Sequence, residues 1–442
     1  KDAEFFINNE KVGKSGDVYD STKTRVEDEP LTVKVTKQDK VDWLKSVKPK
    51  EGLVTVLYPI MYPPELKFED ESIVAHRAFQ SKNPNQFFYD RVENGKLVLY
   101  RYTIQRQIFI LQNRNERIAD ITSPLLRTNL IVNTLTEENP DISLKEYSIT
   151  PSNLGRNALL TVPNESVYIV NESGRVSKIP NLTPSKSDKY FWSPDDNFVI
   201  YQTNNQIYSI NSGNAEVSTI FKPSKSDESA DLQFVANGGL VYKVKDNDGT
   251  DLVENSFNGN NIRVFDLPNI ENIRKDNLKA AYNMIEKQSL ILLQTESNIY
   301  AYNLTNSEIK KFNKFDSEEI ISVDSTKQTV ITKNTKLNNQ FRYYNLEQNE
   351  SKTFTFDFIK TGQSLKSVHT YNYSQNAVFI YDDVVVFSDI DGANSIQYRS
   401  IKFQSLALAV KEDVNVALVI VQKSYDNPAD TRISINFERF EN

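Results

Sequence analysis

An all-β chain is what this sequence predicts, and three observations carry the prediction. Short runs rich in Val, Ile, Tyr, Phe and Thr fill the chain, punctuated by clusters of Asn, Asp, Gly, Ser and Lys, which is the pattern of antiparallel strands joined by tight turns. The aromatic complement leans to strand formers, with 22 Tyr and 24 Phe against 2 Trp. No stretch sustains an apolar face at helical spacing, the best candidates at residues 123–135 and 276–287 being short.

The order of the runs repeats, and the repeat specifies the architecture. Segments 157–171 (NALLTVPNESVYIVN), 197–211 (NFVIYQTNNQIYSIN), 289–303 (SLILLQTESNIYAYN), 328–345 (QTVITKNTKLNNQFRYYN) and 376–389 (NAVFIYDDVVVFSD) share a plan: an apolar strand, a polar turn, and a second strand with an aromatic. Tyr168, Tyr208, Tyr300, Tyr343 and Phe387 fall at matching places, and residues 239–256 supply a further copy. The spacing is about forty to forty-seven residues per unit, the length of one four-stranded propeller blade. An inner strand such as residues 232–239 or 279–288 precedes each hairpin, and an outer strand such as 216–221 or 352–358 follows it. The inner strands are expected to be the most buried and the outer ones the most polar. Tiling gives units near 71–120, 143–183, 187–225, 230–270, 276–316, 317–360, 364–402 and 403–441. The first is irregular, and the last can complete a blade with a strand from early in the chain, so a seven-bladed and an eight-bladed β-propeller both fit. Asn is plentiful while Gly numbers only 13, so Asn is expected at many left-handed turn positions.

Residues 1–65 stand outside the repeat and read as a separate small β-sandwich-like domain, leaving 66–442 for the propeller. Its strands are expected at 4–13, 31–37, 43–52 and 53–64, ending at Pro59, Pro63 and Pro64, where ladder donors are lost.

Two resemblances follow from particular residues. Segment 191–220 (FWSPDDNFVIYQTNNQIYSINSGNAEVSTI) resembles the repeat of TolB-like and dipeptidyl-peptidase-type (WD40-like) propellers, in which a Ser-Pro-Asp turn precedes an apolar strand and a hairpin. Segment 384–400, with its Asp-x-Asp-Gly turn, resembles the later half of that repeat, whereas other units lack Ser-Pro-Asp. The N-terminal residues resemble a PEGA domain through 7–13, 30–35, 43–47 and 53–59, without the Pro-Glu-Gly-Ala tetrapeptide itself. The resemblance implies an extracytoplasmic protein of a bacterial cell envelope or surface, tethered by an N-terminal anchor. The chain begins at Lys1 without an initiator Met, which fits an anchor or signal upstream of this sequence.

Composition excludes several chemistries. There is no cysteine, and only two histidines, His76 and His369, are present. Disulfides, thiolate metal sites and a cysteine nucleophile are therefore ruled out. Lys and Arg number 52 against 59 Asp and Glu, a net charge of −7 with the signs interspersed, so no basic face points to nucleic acid. No Gly-x-Ser-x-Gly elbow or Gly-rich phosphate loop occurs. Asp246, Asp248 and Asp251, and separately Asp389 and Asp391, offer oxygens beside a Gly, but a calcium loop needs more ligands and a distal Glu, so hairpin turns are the expectation. Asp195 with Asp196 and Asp382 with Asp383 read as solvated hairpin turns rather than a glycosidase pair. Both histidines lie in expected inner strands, where a hydrogen-bonded imidazole is the ordinary outcome. Exposed aromatics are the remaining candidates for a partner-binding face: Trp192, Tyr282, Tyr343, Tyr344 and Tyr373, with His369 beside them.

The sequence thus predicts a non-catalytic, membrane-tethered scaffold, monomeric, without cofactor or metal, that binds a protein partner at the envelope. A propeller that binds or hydrolyses a cell-wall glycan or peptide is one alternative, and a cytosolic WD-repeat-type scaffold is another.

Overall fold

The computed structural model describes residues 3–14, 29–48, 57–121 and 147–439, less positions in the connecting loops. All regular structure among these residues is β, arranged as nine four-stranded antiparallel sheets. Eight of the nine follow one another as the blades of an eight-bladed β-propeller. Blade 1 comprises Arg77–Gln80, Gln86–Glu93, Lys96–Gln107 and Ile110–Ile121. Blades 2 to 7 begin at the inner strands Ser148–Pro151, Lys189–Trp192, Ser229–Ala236, Ala280–Ile285, Glu318–Asp324 and Leu365–Tyr371. The 276–287 stretch thus holds the inner strand expected at 279–288 and no helix; 123–135 lies outside the described residues.

Blade 8 settles the blade count. Three of its strands, Phe403–Lys411, Val416–Lys423 and Arg432–Arg439, come from the end of the chain, and the fourth is Glu69–Val74 from near its beginning. Val74 pairs with Arg432 and Ile73 with Ile433 across this seam. The early strand expected to complete the last unit is therefore residues 69–74, and the first blade starts at Arg77.

The aromatic register of the repeat is met in full, with Tyr168, Tyr208, Tyr300, Tyr343 and Phe387 all on the third strand of their blades. Burial departs from expectation. The second and third strands are the most enclosed: Ala158–Val162, Ser166–Val170, Asn376–Tyr381 and Val384–Asp389 are buried at every position. Inner strands such as Ser148–Pro151 are only partly so. A middle strand is paired on both edges and covered on both faces by neighbouring blades, whereas an inner strand has a sheet partner on one edge only. Outer strands are the most exposed, as at Asn261–Phe265 and Glu350–Thr355.

Cores form between blades. Leu159, Val167 and Ile169 of blade 2 pack on Trp192, Val199 and Tyr201 of blade 3. Phe341 and Phe356 meet Phe379 of blade 7 with ring centroids 4.8 and 5.0 Å from it. Each such side chain contributes roughly 1.5–3 kcal/mol by leaving water.

The ninth sheet is N-terminal, with strands Glu4–Ile7, Glu10–Lys14, Leu31–Thr36 and Trp43–Val47 in the spatial order second, first, third, fourth. Its first hairpin turns on Asn8 and Asn9 at φ of 46° and 68°, the geometry of a type I′ turn, which Asn tolerates. Of the strand expected at 53–64, residues 53–56 and 58 lie outside the described residues, and 59–64 form no strand, the prolines at 59, 63 and 64 lacking the donors of a ladder. Among the described residues, six of the ten non-glycine positions with positive φ are Asn, which is the use of Asn that its abundance implied.

Gly392 shows a turn that only glycine fits. Its φ is +82°, and a Cβ there would fall 2.3 Å from the Phe354 ring of blade 6. Gly392→Ala is expected to lower stability by about 1–3 kcal/mol through backbone strain and displacement of Phe354, read as a drop in apparent Tm; Ala substituted at Gly238, where no atom lies within 4 Å of a Cβ, has only the φ strain and costs less.

Candidate functional site

Two networks of buried polar groups lie at junctions between sheets. At the junction of blades 1 to 3 the hub is Asp196, in the turn between the first two strands of blade 3. Ser193 opens that turn: its Oγ accepts from the Phe198 amide at 2.9 Å and donates to Asp195 at 2.6 Å. Asp195 also accepts from the Asn197 amide and side chain, and despite partial burial these bonds hold its carboxyl below the usual range. Asp196 sits at φ 63° and reaches back to blade 2. It accepts from Ser152 Oγ at 2.6 Å and the Leu154 amide at 3.0 Å, while Asn153 Nδ2 donates to the Trp192 and Ser193 carbonyls at 2.9 Å. From the other side Gln86 Nε2 and an Arg101 guanidinium nitrogen donate to the Leu154 and Gly155 carbonyls. The Ser-Pro-Asp turn is thus a device for stitching blades.

A second junction joins the N-terminal sheet to blade 7. Asp389 ends the third strand of that blade and its side chain is 4% exposed. Within the blade it accepts from Asn376 Nδ2 at 3.0 Å and Asn394 Nδ2 at 2.9 Å. From the N-terminal sheet it accepts from Lys45 Nζ at 3.2 Å and Trp43 Nε1 at 3.4 Å. The Leu44 amide completes the contact with Asn394 Oδ1 at 2.7 Å. Burial pushes the Asp389 carboxyl up, against the pull of Lys45 and the Asn394 hydrogen bond. In Asp391 the same burial is outweighed by Lys45 and Lys352, and its pKa is lowered. The two carboxylates of the Asp-x-Asp-Gly turn are therefore occupied by lysines and amides. Asp246 likewise caps its own hairpin, accepting from the Gly249 amide at 3.1 Å, while Asp248 lies outside the described residues. Among the described residues no group of three or more potential metal-ligating side chains occurs.

The remaining buried carboxylates are bound in the same manner. Asp90 of blade 1 accepts from Tyr147 at 2.5 Å. Glu318 of blade 6 accepts from Thr332 and from Tyr344, at 3.2 Å for the latter, and Arg342 lies 3.9 Å away. Burial first, and then the Glu318 charge, push Tyr344 up to about 12.

Of the six residues expected to form a partner face, the five described ones are dispersed. Trp192, 3% exposed, lies in the core between blades 2 and 3 and donates Nε1 to the Thr150 carbonyl at 3.0 Å. Tyr344 is buried between blades 5 and 6, and Tyr282 packs against that same cluster, half-buried. Tyr343 packs against the core of blades 6 and 7. His369, on the inner strand of blade 7, is part-buried with Nε2 3.0 Å from Ser367 Oγ. Tyr373 and His76 lie outside the described residues. The structure brings Tyr282 and Tyr344 together in one cluster and places Trp192 and Tyr343 in others. Sequence reasoning missed Lys45, Trp43, Asn376 and Asn394 as partners of Asp389; a lone Trp and an Asp-x-Asp-Gly turn were the visible signals, without anything to link them.

No family model matches this chain, and no curated protein matches it. Solved structures do. The C-terminal WD40 domain of Sif2 is similar over 84% of this chain and 97% of that one, at 14% identity and a TM-score of 0.50. A study of two prolyl endopeptidases gives a match over 79% of this chain and 54% of that one, at 12% identity and TM-score 0.47. PorZ, a bacterial surface component of the type-IX secretion system of Porphyromonas gingivalis, matches over 82% of this chain and 45% of its own, at 13% identity and TM-score 0.43. The likeness to the Sif2 domain shows the fold: a WD40-like β-propeller.

Asp196→Ala leaves Ser152 and the Leu154 amide without their buried acceptor and is expected to cost about 3 kcal/mol in denaturant unfolding. His369 gives a pH prediction. Burial lowers its pKa from the ordinary 6.5, so the unfolded chain takes up its proton first as pH falls. The stability it contributes is complete above pH 6.5 and is lost as pH drops from there towards the folded value, by at most about 1.4 kcal/mol per unit. Unfolding of His369→Gln at pH 7.5 and 5.5 is expected to show a shallower loss than the wild type.

Proposed function

We propose that this chain is a non-catalytic scaffold, a WD40-like propeller carrying a small PEGA-like sheet at residues 1–65, tethered outside the membrane of a bacterial cell and binding a protein partner through the ring. The observation that carries the non-catalytic reading is the state of the buried carboxylates. Asp90, Asp196, Glu318 and Asp389 each accept hydrogen bonds from neighbouring strands or sheets, so their lone pairs serve the fold. A general acid or base needs an oxygen turned to a substrate, and a metal site needs several such groups converging. The PEGA-like segments support the envelope location, and the docking of that sheet on blade 7 supports a spacer that presents the ring in a fixed orientation.

Loop tips that carry exposed apolar side chains are the places to test for a partner. Leu337, 49% exposed, lies between the second and third strands of blade 6, and Leu154, 40% exposed, between the first and second strands of blade 2. The two kinds of connection lie at opposite ends of the strands and so on opposite faces of the ring. A photo-crosslinking residue placed at each in the full-length protein in its native cell is expected to capture a protein from one face only, in the envelope fraction. Fractionation to the cytosol would favour the cytosolic scaffold, and release of sugar or peptide from purified cell wall would favour the hydrolase.

A further inference from the structure

We propose that the N-terminal sheet is the clasp of the ring: its docking on blade 7 holds in place the strand that closes blade 8. The path of the chain carries the inference, independently of any scaffold role. Residues 60–62 are buried. Met61 belongs to the core of the N-terminal sheet with Val35 and Trp43, and the Tyr62 carbonyl accepts from the Val41 amide at 2.9 Å. On the opposite side the Tyr62 ring packs 5.3 Å from Phe387 of blade 7, and the Pro63 carbonyl accepts from Tyr398 of its outer strand at 2.7 Å. Residues 60–63 are therefore sandwiched between sheet and blade, and the chain then becomes Glu69–Val74, the outer strand of blade 8.

That strand needs support. It pairs with Arg432–Arg439 alone, and the register shifts between Ile433 and Ile435, so it is an edge with an interrupted ladder, the kind of element that opens first. An anchor a few residues away keeps a detached strand at a high effective concentration beside its partner. Undocking the sheet removes one wall of the sandwich around residues 60–63 and lengthens the free tether, leaving Tyr398 and Phe387 to hold it. The contacts at Asp389 therefore bear on an edge strand in the next blade.

Hydrogen exchange of the full chain tests this in two ways. In the wild type under increasing urea, amides of Glu69–Val74 are expected to exchange at an opening free energy no lower than those of Trp43–Val47. Exchange of 69–74 at a lower one, with the sheet still protected, overturns the proposal. In the double variant Lys45→Met, Tyr398→Phe, which removes one docking cation and one tie to residue 63, exchange in 69–74 and 432–439 is expected to rise about tenfold or more while Phe198–Thr203 of blade 3 keeps its protection. Unchanged exchange in 69–74 with faster exchange in 43–47 shows docking and closure to be independent and overturns it equally. Were the variant to loosen throughout, the wild-type urea series alone decides.

Discussion

A propeller blade is a thin sheet with two apolar faces, and the ring must therefore close. In blades 2 and 7 the two middle strands are buried at every position, which is possible only because neighbours cover both sides. A blade missing one neighbour leaves a face of Leu, Ile, Val and aromatic side chains in water. The seam between Glu69–Val74 and Arg432–Arg439 is the one sheet that cannot be made locally. The strands of blades 1 to 7 pair with sequence neighbours, so each blade can form from short hairpins, whereas the seam pairs residues from opposite ends of the described chain and carries the loop-closure cost of all that lies between. Closure also explains how a chain that is only 38% hydrophobic holds eight blades: outer strands and loops are polar, and the apolar residues are concentrated in two strands per unit.

The buried carboxylates serve the same end. Packing alone is tolerant of small rotations between sheets, since apolar contact has no direction. Asp196 and Asp389 add direction, because a carboxylate taken from water must keep its hydrogen bonds or lose several kcal/mol. Asp196 receives the loop of the preceding blade, and Asp389 receives Trp43 and Lys45 of another sheet. Neither is strong evidence of net stabilisation; their contribution is to fix one arrangement of neighbours among the many that apolar surfaces allow.

The legible part of this fold is the part whose contacts are short in sequence. The hairpins at residues 197–211 and 376–389 announce themselves because both strands and the turn lie in one window, and the third-strand aromatics Tyr168, Tyr208 and Tyr300 repeat because each does the same packing in its own blade. The seam was legible in outline, since the last unit invites completion by a strand from early in the chain, although the tiling assigns residues 71–74 to the first blade and the structure gives them to the last. The docking of the N-terminal sheet was not. Lys45 and Asp389 are 344 positions apart, and nothing in either local window specifies the other. Asp389 and Asp391 looked like a turn with spare oxygens because the groups that occupy them, Lys45 and Lys352, come from other sheets.

Trp192 is the instructive case. Beside a Ser-Pro-Asp turn, an indole reads as a loop aromatic available to a partner, but the turn folds back on blade 2 and encloses it. The second Trp of the chain, Trp43, is also buried, and both donate Nε1 across a junction: Trp192 to the Thr150 carbonyl of the preceding blade, Trp43 to Asp389 of blade 7. An indole combines the largest apolar surface of any side chain with a single donor, so it can fill an interface between sheets and still register one against the other. In a chain without cysteine, where no cross-link fixes the sheets, that combination is suited to the places where one sheet must be seated on the next. The scarcity of tryptophan here is in keeping with that use: both indoles lie at junctions between sheets, and the ordinary interior of the blades is filled with Tyr, Phe and β-branched residues.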